Sequence, residues 1–395
     1  MKPPVLTLKL KPREERRLRA GHLWVYSNEI EVGPEFRQIE PGSLCRIVDS
    51  RDKPLGLGYV NPRTLLAVRL LDADSQRTID RSWFVRRLAA ALALRERLYG
   101  EACYRLVHGE GDGLPGLIID RYGDVLVVQV TTAGMERLKT EWLAALGELL
   151  QPRGILLRND NAARELEGLS QENEVIGEIA DPLEIREEGI GFRLSLLGGQ
   201  KTGFFFDQRD NRSRLARYVR DRSVLDVFSY VGAWGLRALR DGASAATCLD
   251  SSQAALDVAQ ASAGLNGLPL DTIRDDALAG MKALRAEGRQ FDVVIVDPPA
   301  LIKRRKDHDA GLEHYAALNR TALHLLRDGG ILVSCSCSHH LEADELQRIL
   351  LRESRHLGRR LQLLEQGAQG PDHPVHPAIP ETRYLKAFFC AVSAG

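Results

Sequence analysis

The C-terminal half of the chain sets the strongest limit on its architecture. Four apolar runs, 223-SVLDVFS-229, 245-AATCLD-250, 291-FDVVIVD-297 and 330-GILVSCS-336, are separated by stretches long enough for crossover helices. Short, nearly continuous apolar runs are strands covered on both faces, and parallel strands need such crossovers. The pattern therefore predicts an α/β fold built on a mostly parallel sheet with helices on either side. One more strand is expected just before 273-IRDDAL-278. Two further runs, 360-RLQLLEQ-366 and 384-YLKAFFCAV-392, are joined by a proline-rich loop that has no room for a helix, so they should pair antiparallel. That makes seven strands.

Two regions precede this sheet. Up to about Asp74 the chain reads as short strands broken by turns, 44-LCRIVD-49, 55-LGLGYV-60 and 65-LLAVRLL-71. Before them, 9-KLKPREERRLRAGHLWVYSNEI-30 carries a basic cluster including Arg16 and Arg17, followed at once by Trp24 and Tyr26. A basic helix edged by aromatics can hold RNA backbone and stack on bases; a solvated amphipathic helix with two core aromatics explains it as well. The second region combines a helix (81–100), the hairpin 116-GLIIDRYGDVLVVQVTT-132, a helix (134–151), a strand (154–160) and another hairpin near 182–197. This is a compact α+β pattern. The apolar strands of the first hairpin could pair with a second copy in a homodimer or be covered internally.

The formal net charge of the 395 residues is zero, so an anionic partner must be met by local basic patches rather than a global field. No apolar run is long enough to span a bilayer, and the start of the chain does not resemble an export signal. Six scattered cysteines suit a reducing cytoplasm, with free thiols and no disulfide framework.

In an open α/β sheet, ligands sit beyond the carboxyl ends of the strands. The first strand runs into 226-DVFSYVGAWG-235, so Asp226, Phe228, Ser229 and Gly232 are candidates for a cofactor turn. Dinucleotides usually bring G-x-G-x-x-G, which is absent; a nucleoside lacking a pyrophosphate fits better, and S-adenosylmethionine is the obvious one. Asp250 ends the second strand, where an acid can accept ribose hydroxyls, and Asp276 follows the third, near the place of an adenine amino group. Each acid taken singly is also a good helix cap.

The fourth strand ends in 297-DPPAL-301, where two prolines hold Asp297 stiffly. Methyltransferases acting on amino groups normally follow such prolines with an aromatic residue; Ala300 stands there instead, which argues against an exocyclic nitrogen as target. C5 of a pyrimidine is a poor nucleophile until a thiolate adds to C6. The next strand runs into 334-SCSCSHHLEADE-345 and delivers thiols to the same edge. Cys337 lies further out, at the strand's lip; Cys335 reads as buried packing. A metal site built on Cys335, Cys337 and His339 lacks the second ligand pair that zinc sites usually have, so no metal is expected. His339 and His340 stand where they either lower the thiol's pKa or cap the following helix, and the cap is the favoured reading. The basic run Lys303, Arg304, Arg305 and Lys306 is either a grip for RNA phosphates or a solvated charge run.

Several long stretches make the chain resemble the bacterial ribosomal RNA large-subunit methyltransferase I family, S-adenosylmethionine-dependent enzymes that make 5-methylcytosine in 23S ribosomal RNA. They are 105-RLVHGEGDGLPGLIIDRYGD-124, 199-GQKTGFFFDQRDNR-212, 226-DVFSYVGAWG-235, 275-DDA-277, 297-DPP-299, 336-SCS-338 and 372-DHPVHPAIPETRYLKAFF-389. The resemblance implies a PUA-like RNA-binding domain over 1–75, a central α+β domain over 76–190 and a Rossmann-like methyltransferase domain over 191–395. It places the catalytic nucleophile on Cys337, and brings the 199–212 stretch, with Lys201 and Gln208, over the cofactor. Many RNA 5-methylcytosine enzymes carry a second cysteine beside the fourth-strand prolines, and 297-DPPAL-301 has none. The alternatives are methylation of another rRNA or tRNA base, or a non-catalytic RNA-binding assembly factor on the same fold.

Overall fold

The computed structural model describes residues 5–198 and 203–395. The chain forms two compact units: one takes the described residues of Met1–Asp181, Leu196–Phe204 and Pro371–Thr382, the other Pro182–Ser195, Phe205–Gly370 and Arg383–Gly395.

The first unit contains two five-stranded sheets. In the first, strands Leu6–Lys9, Ser43–Val48, Pro54–Val60, Leu66–Asp72 and Trp24–Tyr26 lie side by side in that order. Leu8, Val25, Ile30, Cys45, Ile47, Val60 and Val68 fill its core. The basic stretch departs from the expected helix: only Glu15–Arg19 is helical, and Trp24 and Tyr26 belong to a strand. Gly21, at φ +95°, turns the chain out of the helix. The 24-WVY-26 triplet then buries only its middle residue, an alternation that suits an edge strand paired with Leu66–Asp72. Arg16 is exposed, whereas Arg17 is paired with Glu29 and lies over the Tyr26 ring.

The second sheet runs Glu174–Gly177, Gly154–Leu157, Val125–Val130, Leu117–Tyr122, Cys103–His108. Both hairpin strands between 117 and 130 are interior to it and share a core with Trp83, Phe84 and Trp142, so they are covered within the unit. The helix expected over 134–151 breaks at Leu138 into Ala133–Arg137 and Lys139–Leu150. The indole of Trp142 donates to the Met135 carbonyl (2.9 Å), which a continuous helix would pair with the Lys139 amide. Tyr59 ties the two sheets together, donating to the Pro115 carbonyl (2.8 Å) and lying 3.0 Å from Thr132 Oγ1.

The second unit holds the expected seven strands, labelled β1 (Ser223–Val227), β2 (Ala245–Asp250), β3 (Leu270–Arg274), β4 (Phe291–Val296), β5 (Leu326–Ser336), β6 (Arg359–Gly367) and β7 (Lys386–Ala394). Their order is β3-β2-β1-β4-β5-β7-β6. The first five are parallel, and β7 runs antiparallel to both β5 and β6, as the proline-rich connection demands. Helices α1 (Ala233–Arg240), α2 (Gln253–Asn266), α3 (Ala277–Ala286), α4 (His308–Leu325) and α5 (Ala343–His356) follow β1 to β5 in turn. The apolar runs of β1 and β4 are buried along nearly their whole length. The hairpin Leu183–Glu187/Ile190–Leu194, read above as closing the central region, packs against α2 instead: Gly191 and Arg193 amides donate to Asn266 Oδ1 and Ser262 Oγ. Its buried Glu187 also receives Arg209 and Arg212 of the short helix Arg209–Arg214.

Candidate active site

Because β1 and β4 are adjacent, crossovers leave in opposite directions from this pair and open a crevice at its carboxyl end. The turn after β1 is unusual: Phe228, Tyr230 and Gly232 all have positive φ, at +64°, +48° and +73°. Such a backbone costs energy for residues with a Cβ and persists only where the surroundings impose it. Asp250, at the end of β2, supplies part of that constraint. One of its oxygens accepts the Tyr230 amide (2.9 Å) and the other the Ser252 amide (2.9 Å), so it shapes the turn as well as facing it.

Asp226 lies beneath the turn, fully buried. Its Oδ2 accepts the Gly235 amide at the start of α1 (3.1 Å), while Oδ1 has no hydrogen-bond partner among the described residues. Burial raises its pKa to about 7, against the pull of the Gly235 amide, and the nearby Asp297 carboxylate adds to the rise. A buried carboxylate with a spare oxygen suits a cationic ligand such as the amino or sulfonium group of S-adenosylmethionine. Ser229 is buried in the same turn, and Phe228 packs partly on the core. Asp276 is exposed and caps α3, its Oδ1 accepting the Leu278 and Ala279 amides (3.0 and 3.1 Å). Lys201 lies outside the described residues.

Gln208 sits beside the neighbouring strand's acid. Its Nε2 donates to Asp297 Oδ1 (2.9 Å), and its Oε1 accepts Asn211 Nδ2 (2.7 Å), which fixes which way the amide faces. Trp234 Nε1 donates to the other oxygen of Asp297 (3.0 Å). Burial lifts the Asp297 pKa to about 6, and these two donors hold it from rising further.

Beside Asp297, β5 presents its thiols. Cys335 is wholly buried and burial drives its thiol well up, so it is packing material at neutral pH. Cys337 is partly exposed, and its thiol faces the Pro298 carbonyl at 3.8 Å. Both of its neighbours are anchored: the Tyr315 hydroxyl lies 2.8 Å from Ser336 Oγ and 2.9 Å from Ser338 Oγ, and the Ile302 amide donates to Ser338 Oγ (3.1 Å). The cap expected from His339 or His340 is made by acids instead. Glu342 and Glu345 form a reciprocal capping box at the start of α5. Lys303, Arg304, Arg305 and Lys306 are all exposed, with Arg304 paired to Asp307 (2.9 Å). Sequence reasoning missed Trp234, Asn211, Tyr315 and Lys386 as members of this edge. Trp234 and Asn211 stand inside motifs already singled out, but nothing in the sequence around Tyr315 points to it.

A family model described as S-adenosylmethionine-dependent methyltransferase matches residues 134–388, and one described as a PUA-like domain matches residues 8–73. Ribosomal RNA large subunit methyltransferase I of Cronobacter sakazakii is 38% identical over 390 residues, covering 97% of this chain and 98% of that protein. The chain belongs to that family. Its relative from Photobacterium profundum is 36% identical over 386 residues, covering 96% of this chain and 97% of its own. Among solved structures, an S-adenosylmethionine-dependent methyltransferase from Streptococcus mutans shares the fold at 20% identity, with a TM-score of 0.82 over 98% of this chain and 100% of that one. Another methyltransferase structure, complexed with SAH, matches at 21% identity and a TM-score of 0.83, again over 98% and 100% of the two chains. As a member of the family, the chain is an S-adenosylmethionine-dependent methyltransferase. Among the described residues no helix is long and apolar enough to cross a membrane.

Proposed function

We propose that this methyltransferase acts on C5 of a cytosine in 23S ribosomal RNA through a covalent bond between Cys337 and C6. The observation that carries the reading is the partly exposed Cys337 sulfur at the Pro298 carbonyl, one residue from Asp297, on the sheet edge that also bears the Asp226 turn. The relatives' name supplies the class of substrate.

The base leaves its stack to enter the crevice, since C5 and C6 are inaccessible within a helix. The Cys337 thiolate adds to C6 and makes C5 nucleophilic. The Asp226 turn, with Asp250 and Asp276 at the neighbouring strand ends, would hold S-adenosylmethionine, whose sulfonium would give its methyl group to C5 and leave as the neutral thioether. Each Asp297 oxygen accepts one protein hydrogen bond and keeps a lone pair for the N3/N4 edge of the ring. In its protonated form, which the raised pKa of about 6 makes accessible, Asp297 gives its proton to N3 and neutralises the negative charge that addition puts on the ring, in a site already organised by Gln208 and Trp234. A base then takes the C5 proton, the C6–S bond breaks and Cys337 leaves as thiolate. Arg16 and the 303–306 run are exposed, and each would hold RNA phosphates of a cytoplasmic ribosomal substrate.

Incubation with 23S ribosomal RNA and labelled S-adenosylmethionine, followed by nucleoside analysis, tests the reading. Label in 5-methylcytidine is expected. Label in N4-methylcytidine or N6-methyladenosine would refute it, as would an undiminished covalent complex with 5-fluorocytidine RNA once Cys337 is replaced by Ala.

A further inference from the structure

Lys386 opens β7, directly opposite Ser336, the residue before Cys337. It is only 9% exposed, and among the described residues it forms no ion pair. Its Nζ donates to the carbonyls of Ser338 (2.7 Å) and Leu341 (2.6 Å), both on the loop that carries the thiol away from β5. A buried ammonium without a carboxylate partner is costly, and a methionine of similar length would pack the same space. Its retention points to a use for the charge.

We infer that Lys386 is a positioning residue for Cys337: its ammonium gathers the carbonyls of the 338–341 loop and supplies the positive charge that favours sulfur as thiolate. The inference rests on Cys337 being the nucleophile proposed above. Among the described residues, the charged groups facing Lys386 are Glu342 and Glu345 at the start of α5 and Cys337 itself at the end of β5. Those two acids are occupied in each other's cap, and Glu345 also meets His308 (3.2 Å). Around the thiol itself stand the Tyr315 hydroxyl and Cys335, both neutral at pH 7 because burial raises them. Among the described residues, Lys386 is a cation that Cys337 meets from the strand beside it. Burial lowers the lysine to about 8, so it keeps its charge at neutral pH and loses it above that.

A plain structural role, pairing two carbonyls, makes a different prediction and can be separated. Lys386→Gln keeps N–H donors and removes the charge; Lys386→Arg keeps both. Iodoacetamide alkylation of the full chain across pH 6–10, read by mass on the peptide containing Cys337, reports the midpoint at which this thiol ionises. The other cysteines are buried. The glutamine variant should shift the midpoint up by about one pH unit and the arginine variant by no more than a few tenths. An unmoved midpoint in a folded glutamine variant overturns the inference. Coupling is reciprocal, so a second measurement covers failure of that variant to fold. Titration of lysine Nζ resonances in Cys337→Ala should show Lys386 losing its proton at a lower pH than in the parent chain; identical titrations overturn the inference as well. Both readouts concern charge at the thiol and not turnover, so an undiminished covalent RNA complex in Cys337→Ala would sink the function proposed above without altering either.

Discussion

The two units treat buried charge in opposite ways. In the first, Arg95, Arg105 and Glu167 are all saturated. Arg95, wholly inaccessible, donates twice to Asp112 (2.6 and 2.7 Å) and once each to the carbonyls of Arg105 and Asp372 (2.9 and 2.7 Å). Arg105 pairs with Asp120, and Glu167 accepts from Arg69 and Asn61. In the second unit Asp226, Asp297 and Lys386 are buried or nearly so, yet none forms an ion pair among the described residues. Saturated pairs hold structure together, because losing one partner strands the other. Unpaired ones cost stability and have shifted proton affinities, which marks them as groups kept for a ligand or a reaction. Glu187 with its two arginines shows that the second unit also builds saturated pairs away from the seven-stranded sheet.

Substitutions can break or sharpen this contrast. The largest effect is expected from Cys337→Ala, which should abolish methyl transfer while leaving cofactor affinity, by calorimetry, and melting temperature nearly unchanged. Arg95→Met should cost the first unit about 3–5 kcal/mol, since it leaves Asp112 buried without its partner; denaturant unfolding measures it, and a loss below about 1 kcal/mol would erase the distinction between the units. Asp297→Asn should do the reverse. It keeps the shape, lowers kcat by about 10²–10³-fold and leaves stability unchanged or improved, because an unpaired buried charge is removed.

A smaller effect concerns pH. Below about 7 the free chain holds a proton on Asp226, while a cationic ligand favours the ionised form. Cofactor affinity should therefore rise with pH up to about 7 and then level off, with proton uptake by the buffer on binding. Asp226→Asn should flatten that dependence. The same group sets a stability slope. Its folded pKa lies above the unfolded one, so the stability it contributes is complete below the usual carboxylate range and is lost as pH rises through about 7. The smallest effect is expected from Cys335→Ala: at most a few-fold in kcat and a stability loss of about 1–2 kcal/mol for the small cavity, by activity assay and thermal melt.

Much of this molecule was legible from neighbouring residues. The strand runs, the antiparallel pairing of the last two strands and the acids at strand ends follow from hydrophobic period and turn chemistry, which act over a few positions. Where the sequence misled, a single side chain or glycine nearby had decided the backbone. The 134–151 helix is broken by an indole, and the basic N-terminal helix is cut short at Gly21 so that Trp24 can enter a sheet. The α5 cap uses Glu342 and Glu345 in place of the histidines.

What the sequence determined by itself is the run of strands and the short list of groups at their ends: the carboxylates Asp226, Asp250, Asp276 and Asp297, a turn with glycine, and a pair of thiols. Tertiary structure alone decided their proton affinities and their readiness. Gln208 reaches Asp297 from 89 positions away, and Lys386 reaches the Cys337 loop from 48. Hydrophobic pattern is a property of adjacent residues, whereas the cost of a buried charge depends on whatever the fold brings within a few ångströms of it.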